Sequence, residues 1–76
     1  MSPSQVEEKI RTALPDAQVE VRDLTGTGDH FAARVVSAAF AGKTRVEQHR
    51  MIYAALGEAM KGPIHALSLE TEVPHA

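Results

Sequence analysis

Residues 18–37 read QVEVRDLTGTGDHFAARVVS. In the first six, Val19 and Val21 alternate with Glu20 and Arg22, the period-two pattern of a strand with one face buried. Thr25-Gly26-Thr27-Gly28-Asp29-His30 comes next, and two glycines among small polar residues favour a flexible connection over regular structure. Phe31 to Ser37 then runs back as a second strand, so the stretch predicts a β-hairpin.

Outward from the hairpin, both flanks read as helices. On the N-terminal side, Ser2 is placed to cap, Pro3 suits a first helical position, and Gln5 stands where a capping box needs it; a Ser4 and Glu7 pairing is an equal alternative. Val6, Ile10 and Leu14 then form one apolar stripe, and Pro15 closes the helix. On the C-terminal side, Ala38 to Gly42 turns the chain, and Thr44-Arg45-Val46-Glu47 repeats the capping pattern before a long helix from Arg45 to about Lys61. Its broad apolar face comprises Val46, Met51, Ile52, Tyr53, Ala55, Leu56, Ala59 and Met60. Gly62-Pro63 stops it, and Ile64 to Thr71 reads as a third strand, apolar enough to be central, with Glu72 to Ala76 fraying.

The order helix, strand, strand, helix, strand predicts a small α+β two-layer sandwich. Its three-stranded mixed sheet has strand three parallel to a hairpin strand, because the long helix provides the crossover. At 76 residues the chain fits one domain, residues 1–76, with a modest aliphatic core and a surface site rather than a large cavity. A formal net charge of −2 gives no overall basic excess to hold a polyanion. Cysteine is absent, so any thiolate ligand must come from another molecule. The N-terminus has neither a secretory leader nor an Arg-rich transit pattern, and no uncharged run reaches membrane-spanning length, so the expectation is a cytoplasmic protein without a membrane partner.

Three stretches together carry a resemblance: Asp29-His30-Phe31 leading to Val35-Val36-Ser37; Phe40-Ala41-Gly42-Lys43 through Val46-Glu47-Gln48-His49-Arg50-Met51-Ile52-Tyr53; and Ile64-His65-Ala66-Leu67-Ser68-Leu69. They resemble the BolA-like family over nearly the whole chain. The resemblance implies a fold akin to the second type of KH domain. It also implies a heterodimer with a monothiol glutaredoxin around a shared 2Fe–2S cluster, in cluster assembly, trafficking or iron homeostasis. In that complex the partner brings its cysteine and a bound glutathione. The BolA-like chain brings the histidine of its Ile-His-Ala segment, here His65, and in some members a Cys or His of the hairpin loop, for which His30 is the candidate here. The family commonly continues into a Trp-bearing segment and a final helix; with Pro74-His75-Ala76 closing this sequence, the expectation is that this extension is largely absent.

A neutral imidazole in place of a thiolate removes negative charge from a cluster iron and raises its potential. Taken alone, His65 reads as a structural histidine at a strand end; the resemblance turns it into a ligand. His30 reads equally as a hairpin-turn residue or as the second ligand. His49 reads as a packed or hydrogen-bonded mid-helix residue, and His75 as terminal and solvated. Lys43, Arg45 and Arg50 gather at the start of the long helix, where the first two are candidates to meet glutathione carboxylates or an acidic partner surface. The same charges support the alternative of a DNA-binding transcriptional regulator, although Gly42-Lys43-Thr44-Arg45 is not the Gly-x-x-Gly clamp of KH domains. An enzyme is not expected, because no arrangement of Ser37, Thr44 and the histidines supplies a nucleophile with a base and an orienting group. Self-association as a homodimer stays open.

Overall fold

The computed structural model describes residues 1–74, so the expectation for His75 lies outside the described residues. The elements are α1 (Pro3–Ala13), β1 (Gln18–Asp23), β2 (His30–Val36), a 3₁₀ turn (Ala38–Phe40), α2 (Arg45–Leu56), a second 3₁₀ turn (Gly57–Lys61) and β3 (Ala66–Glu72). They form the expected α+β arrangement, a three-stranded mixed sheet with helices on one face.

Both helices start through reciprocal capping. The Ser2 hydroxyl accepts from Gln5 N–H at 3.3 Å while Gln5 Oε1 accepts from Ser2 N–H at 2.8 Å, which decides the α1 start in favour of Ser2. Thr44 and Glu47 exchange the same two bonds at 3.2 and 2.9 Å. Each pair satisfies backbone donors that a helix N-terminus otherwise leaves open.

The long helix ends sooner than its composition suggested. Gly57 has φ +52 and ψ −123, a conformation that side-chain-bearing residues rarely adopt. The α-helix therefore stops at Leu56, and the chain reaches Lys61 through a 3₁₀ turn. The broad apolar face is also only partly used. Ile52, Leu56 and Ala59 are buried, whereas Val46 is 60% and Tyr53 42% exposed.

β2 is the central strand, which corrects the expectation for β3. β1 pairs antiparallel on one side of β2, with Val19 opposite Val35 and Asp23 opposite Phe31, and β3 pairs parallel on the other, with His30 opposite Ala66 and Val36 opposite Glu72. Phe31, Ala33 and Val35 of β2 are buried, while β3 alternates exposed and half-buried residues, with Leu67 and Leu69 toward the core. The apolar look of β3 reflects a single inward-facing row, Leu67 and Leu69, on a strand at the edge of the sheet.

The core joins Val6 and Ile10 of α1, the inner rows of β1 and β2, Phe40, Ile52, Leu56 and Ile64. Two polar clasps set the register around it. The Asp16 carboxylate accepts from the Ser37 hydroxyl at 2.9 Å and from Ala38 N–H at 2.9 Å, holding the exit of β2. Gln48 donates to the carbonyls of Phe40 and Lys43 and accepts from the Thr71 hydroxyl at 2.6 Å. That second clasp places the start of α2 over the end of β3. The far end of α2 consequently delivers the chain to the opposite end of the sheet, where Ile64 N–H bonds the Ala59 carbonyl just before His65. Among the described residues no helix is long and apolar enough to cross a membrane.

Candidate functional site

The hairpin turn is organised by two aspartates. Asp23 accepts the backbone N–H groups of Thr25, Gly26 and Gly28 at 3.2, 2.9 and 2.9 Å, folding the glycine-rich segment back on its own strand. Gly28 has φ +77, and a Cβ there would lie 2.8 Å from the Met1 carbonyl oxygen, so the segment needs glycine for both conformation and space. Asp29 accepts from the hydroxyls of Thr25 and Thr27 and pairs with His30 Nδ1 at 2.9 Å. The hydrogen bond from Thr27, followed by that from His30, holds the Asp29 carboxyl down to about 2.

The Asp29 carbonyl oxygen accepts two more bonds, from His65 N–H at 2.7 Å and Ala66 N–H at 3.1 Å. These tie the entry of β3 to the hairpin. As a result His30 and His65, far apart in sequence, have ring centroids 5.4 Å apart with planes tilted by 50°. His65 is exposed, and the His30 side chain is 37% exposed. The pair sits at one end of the sheet, open to an approaching molecule.

The separation suits metal binding. Two imidazoles on one tetrahedral metal, with metal–nitrogen bonds near 2 Å, have ring centres roughly 5 Å apart. Among the described residues no group of three His, Cys, Asp or Glu side chains gathers to hold a metal ion. The two imidazoles are a partial ligand set, compatible with thiolates brought by a second molecule.

The other sequence candidates lie elsewhere. Lys43 and Arg45 stand at the start of α2, and Arg45 borders a shallow groove with His49 and residues Leu69 to Glu72. The length of β3 separates this end from the histidines by about 20 Å. The structure therefore does not bring Lys43 or Arg45 together with the histidine pair. His49 is half-buried beside the groove, in keeping with a packing role. Asp29 is the residue whose part in the site sequence reasoning missed. Its adjacency to His30, with Thr25 and Thr27 just before it, was the available signal.

Comparison with known proteins agrees with this architecture. A family model described as BolA-like protein matches residues 4–76. BolA-like protein 1 of Homo sapiens is 38% identical over 80 aligned residues, covering 91% of this chain and 58% of the relative. A protein named DNA-binding transcriptional regulator BolA, from Escherichia coli (strain K12), is 37% identical over 73 residues, covering 87% of this chain and 70% of that one. Among solved structures, the BolA domain of SufE1 from Arabidopsis thaliana superposes with a TM-score of 0.85 at 35% identity, covering 95% of this chain and 91% of that chain. The chain spans between 53% and 59% of the length of the Pongo abelii, human and bovine proteins named BolA-like protein 1. The whole-chain family match, the identity to these relatives and the superposition lead to one assignment: this chain belongs to the BolA-like protein family.

Proposed function

We propose that the protein is a cytoplasmic adaptor, not an enzyme, that docks onto a monothiol glutaredoxin and contributes the imidazole of His65, with His30 as second ligand, to a 2Fe–2S cluster shared by the two. The observation that carries this reading is the accessible imidazole pair, 5.4 Å apart at one end of the sheet. The chain has no cysteine, so the thiolates of such a cluster come from the partner and its glutathione. Imidazole ligation lowers the negative charge on the cluster and raises its potential, which suits a cluster that is passed on or sensed. The cluster is cargo in this role, within iron–sulfur cluster assembly, trafficking or iron homeostasis. Titrating the protein into a cluster-loaded monothiol glutaredoxin is expected to change the visible absorption and circular dichroism spectra. An identical change with His65→Ala contradicts the ligand assignment.

The name of the Escherichia coli relative keeps a second reading in view, a DNA-binding regulator using Lys43, Arg45 and Arg50. Glu47 weighs against it. Its carboxylate accepts the Thr44 N–H within the capping box, and this bond, then the Thr44 hydroxyl, with Lys43 and Arg50 adding attraction, keeps its pKa below the usual value. An ionised acid therefore sits among the basic residues, where a phosphate would have to approach. Mobility shifts at physiological salt that weaken when Arg45 and Arg50 are neutralised support this reading, and no shift on any tested sequence retires it.

A further inference from the structure

Asp29 touches both halves of the histidine pair through different atoms. Its carboxylate meets His30 Nδ1 at 2.9 Å, and its backbone carbonyl holds the N–H groups of His65 and Ala66. An ionised carboxylate only accepts hydrogen bonds, so His30 Nδ1 must be the donor in this contact. A neutral imidazole carries a single N–H, which leaves the lone pair on Nε2. The Thr25 and Thr27 hydroxyls bind the same carboxylate oxygen, Oδ1, and keep it from swinging away.

We propose that Asp29 is the positioning residue of the site: its carboxylate commits His30 to binding metal through Nε2, while its carbonyl holds the backbone of His65 at the matching distance. This rests on the cluster-sharing role proposed above. The arrangement is a carboxylate behind a metal-binding histidine, which orients the ring and raises its basicity, with the neighbouring ligand fixed through the main chain of the same residue. A purely structural turn residue would stabilise the hairpin without selecting a tautomer.

The test pairs Asp29→Asn with Asp23→Asn. Asp29→Asn keeps the backbone carbonyl and nearly the same volume but removes the acceptor-only carboxylate. Asp23→Asn disturbs the same turn without touching His30. Two-bond proton–nitrogen NMR spectra of the isolated protein, at a pH where the imidazoles are neutral, report the His30 tautomer, and the backbone spectrum confirms the fold. The expected result is an Nδ1-protonated His30 in the parent and in Asp23→Asn, with Nε2–H gaining population in Asp29→Asn. In titrations with cluster-loaded glutaredoxin, Asp29→Asn should need about tenfold more protein to reach the same spectral change, the low end for loss of such an outer carboxylate.

A parent His30 protonated at Nε2 overturns the proposal, as does an Asp29→Asn variant that matches the parent in either readout. A parent that leaves the glutaredoxin spectrum unchanged contradicts the cluster role itself, and the tautomer result then decides separately whether Asp29 directs the ring.

Discussion

The backbone carbonyl of Asp29 receives the His65 N–H at 2.7 Å, so the first residue before β3 hangs from the last residue before β2. With the Ala66 N–H on the same carbonyl and Ala66 opposite His30 in the register, this bond makes neighbours of a histidine that opens β2 and one just outside β3, which starts at Ala66 and not at the expected Ile64. The His65 ring itself makes no hydrogen bond among the described residues, and its side chain is exposed. Stability and ligation should accordingly separate at this position. His65→Ala is expected to leave the unfolding free energy within about 0.5 kcal/mol of the parent, by denaturant titration, while removing the spectral response to cluster-loaded glutaredoxin. A variant that loses stability substantially would mark His65 as a structural residue.

Acid stability should depend on Asp16. The Ala38 N–H, and after it the Ser37 hydroxyl, lowers the pKa of this carboxyl from its ordinary 3.8. A depressed folded-state pKa means that the contribution is complete above the ordinary value and disappears as pH falls below it through the folded value. The melting temperature of the parent should therefore fall more steeply below about pH 4 than that of Asp16→Asn, which carries no titrating group there. Parallel curves for the two proteins would show that the clasp does not discriminate between charge states.

The contrast between Phe31 and Val46 tests the burial pattern. Phe31 is fully buried on the central strand, and Phe31→Ala should cost about 3–5 kcal/mol, enough to unfold a large share of a domain this small. Val46 is 60% exposed, and Val46→Ala should change stability by less than about 0.5 kcal/mol. Urea midpoints of the two variants provide the comparison, and a large loss at Val46 would mean that the face of α2 carrying it is covered.

Gly57 marks the break after α2. Gly57→Ala forces a side chain into φ +52 and ψ −123 and should destabilise the domain by about 1–3 kcal/mol, read from the same denaturant midpoints. A stabilised variant would indicate that α2 continues as a regular helix through this residue.

The hairpin, the α2 start and the parallel placement of β3 were legible in the sequence because each rests on local chemistry: alternating valines, a capping box and a helical crossover; at α1 the Ser2 and Ser4 caps fitted equally, and the structure chose Ser2. The position of β3 was not, since Leu67 and Leu69 look the same whether a strand is central or lies at an edge with one buried face. The extent of the second helix was also misjudged. Alanine and methionine continue past Gly57, and composition does not reveal that this glycine takes a positive φ. At the site, His65 and His30 were named from sequence, but their proximity depends on a carbonyl, which carries no sequence signature. Lys43 and Arg45 were grouped with them only by charge, and the antiparallel run of α2 against β3 places them at the other end of the sheet.

The proposed role stands on an imidazole of this protein binding a cluster iron. Pulsed electron paramagnetic resonance of the reduced complex with a monothiol glutaredoxin tests it most directly, because nitrogen ligands leave hyperfine couplings that sulfur ligands do not. Strong ¹⁴N couplings are expected in the parent complex, lost or reduced to those of one remaining imidazole in His65→Ala. A reduced complex with no such nitrogen coupling, or with couplings unchanged by His65→Ala, would contradict it.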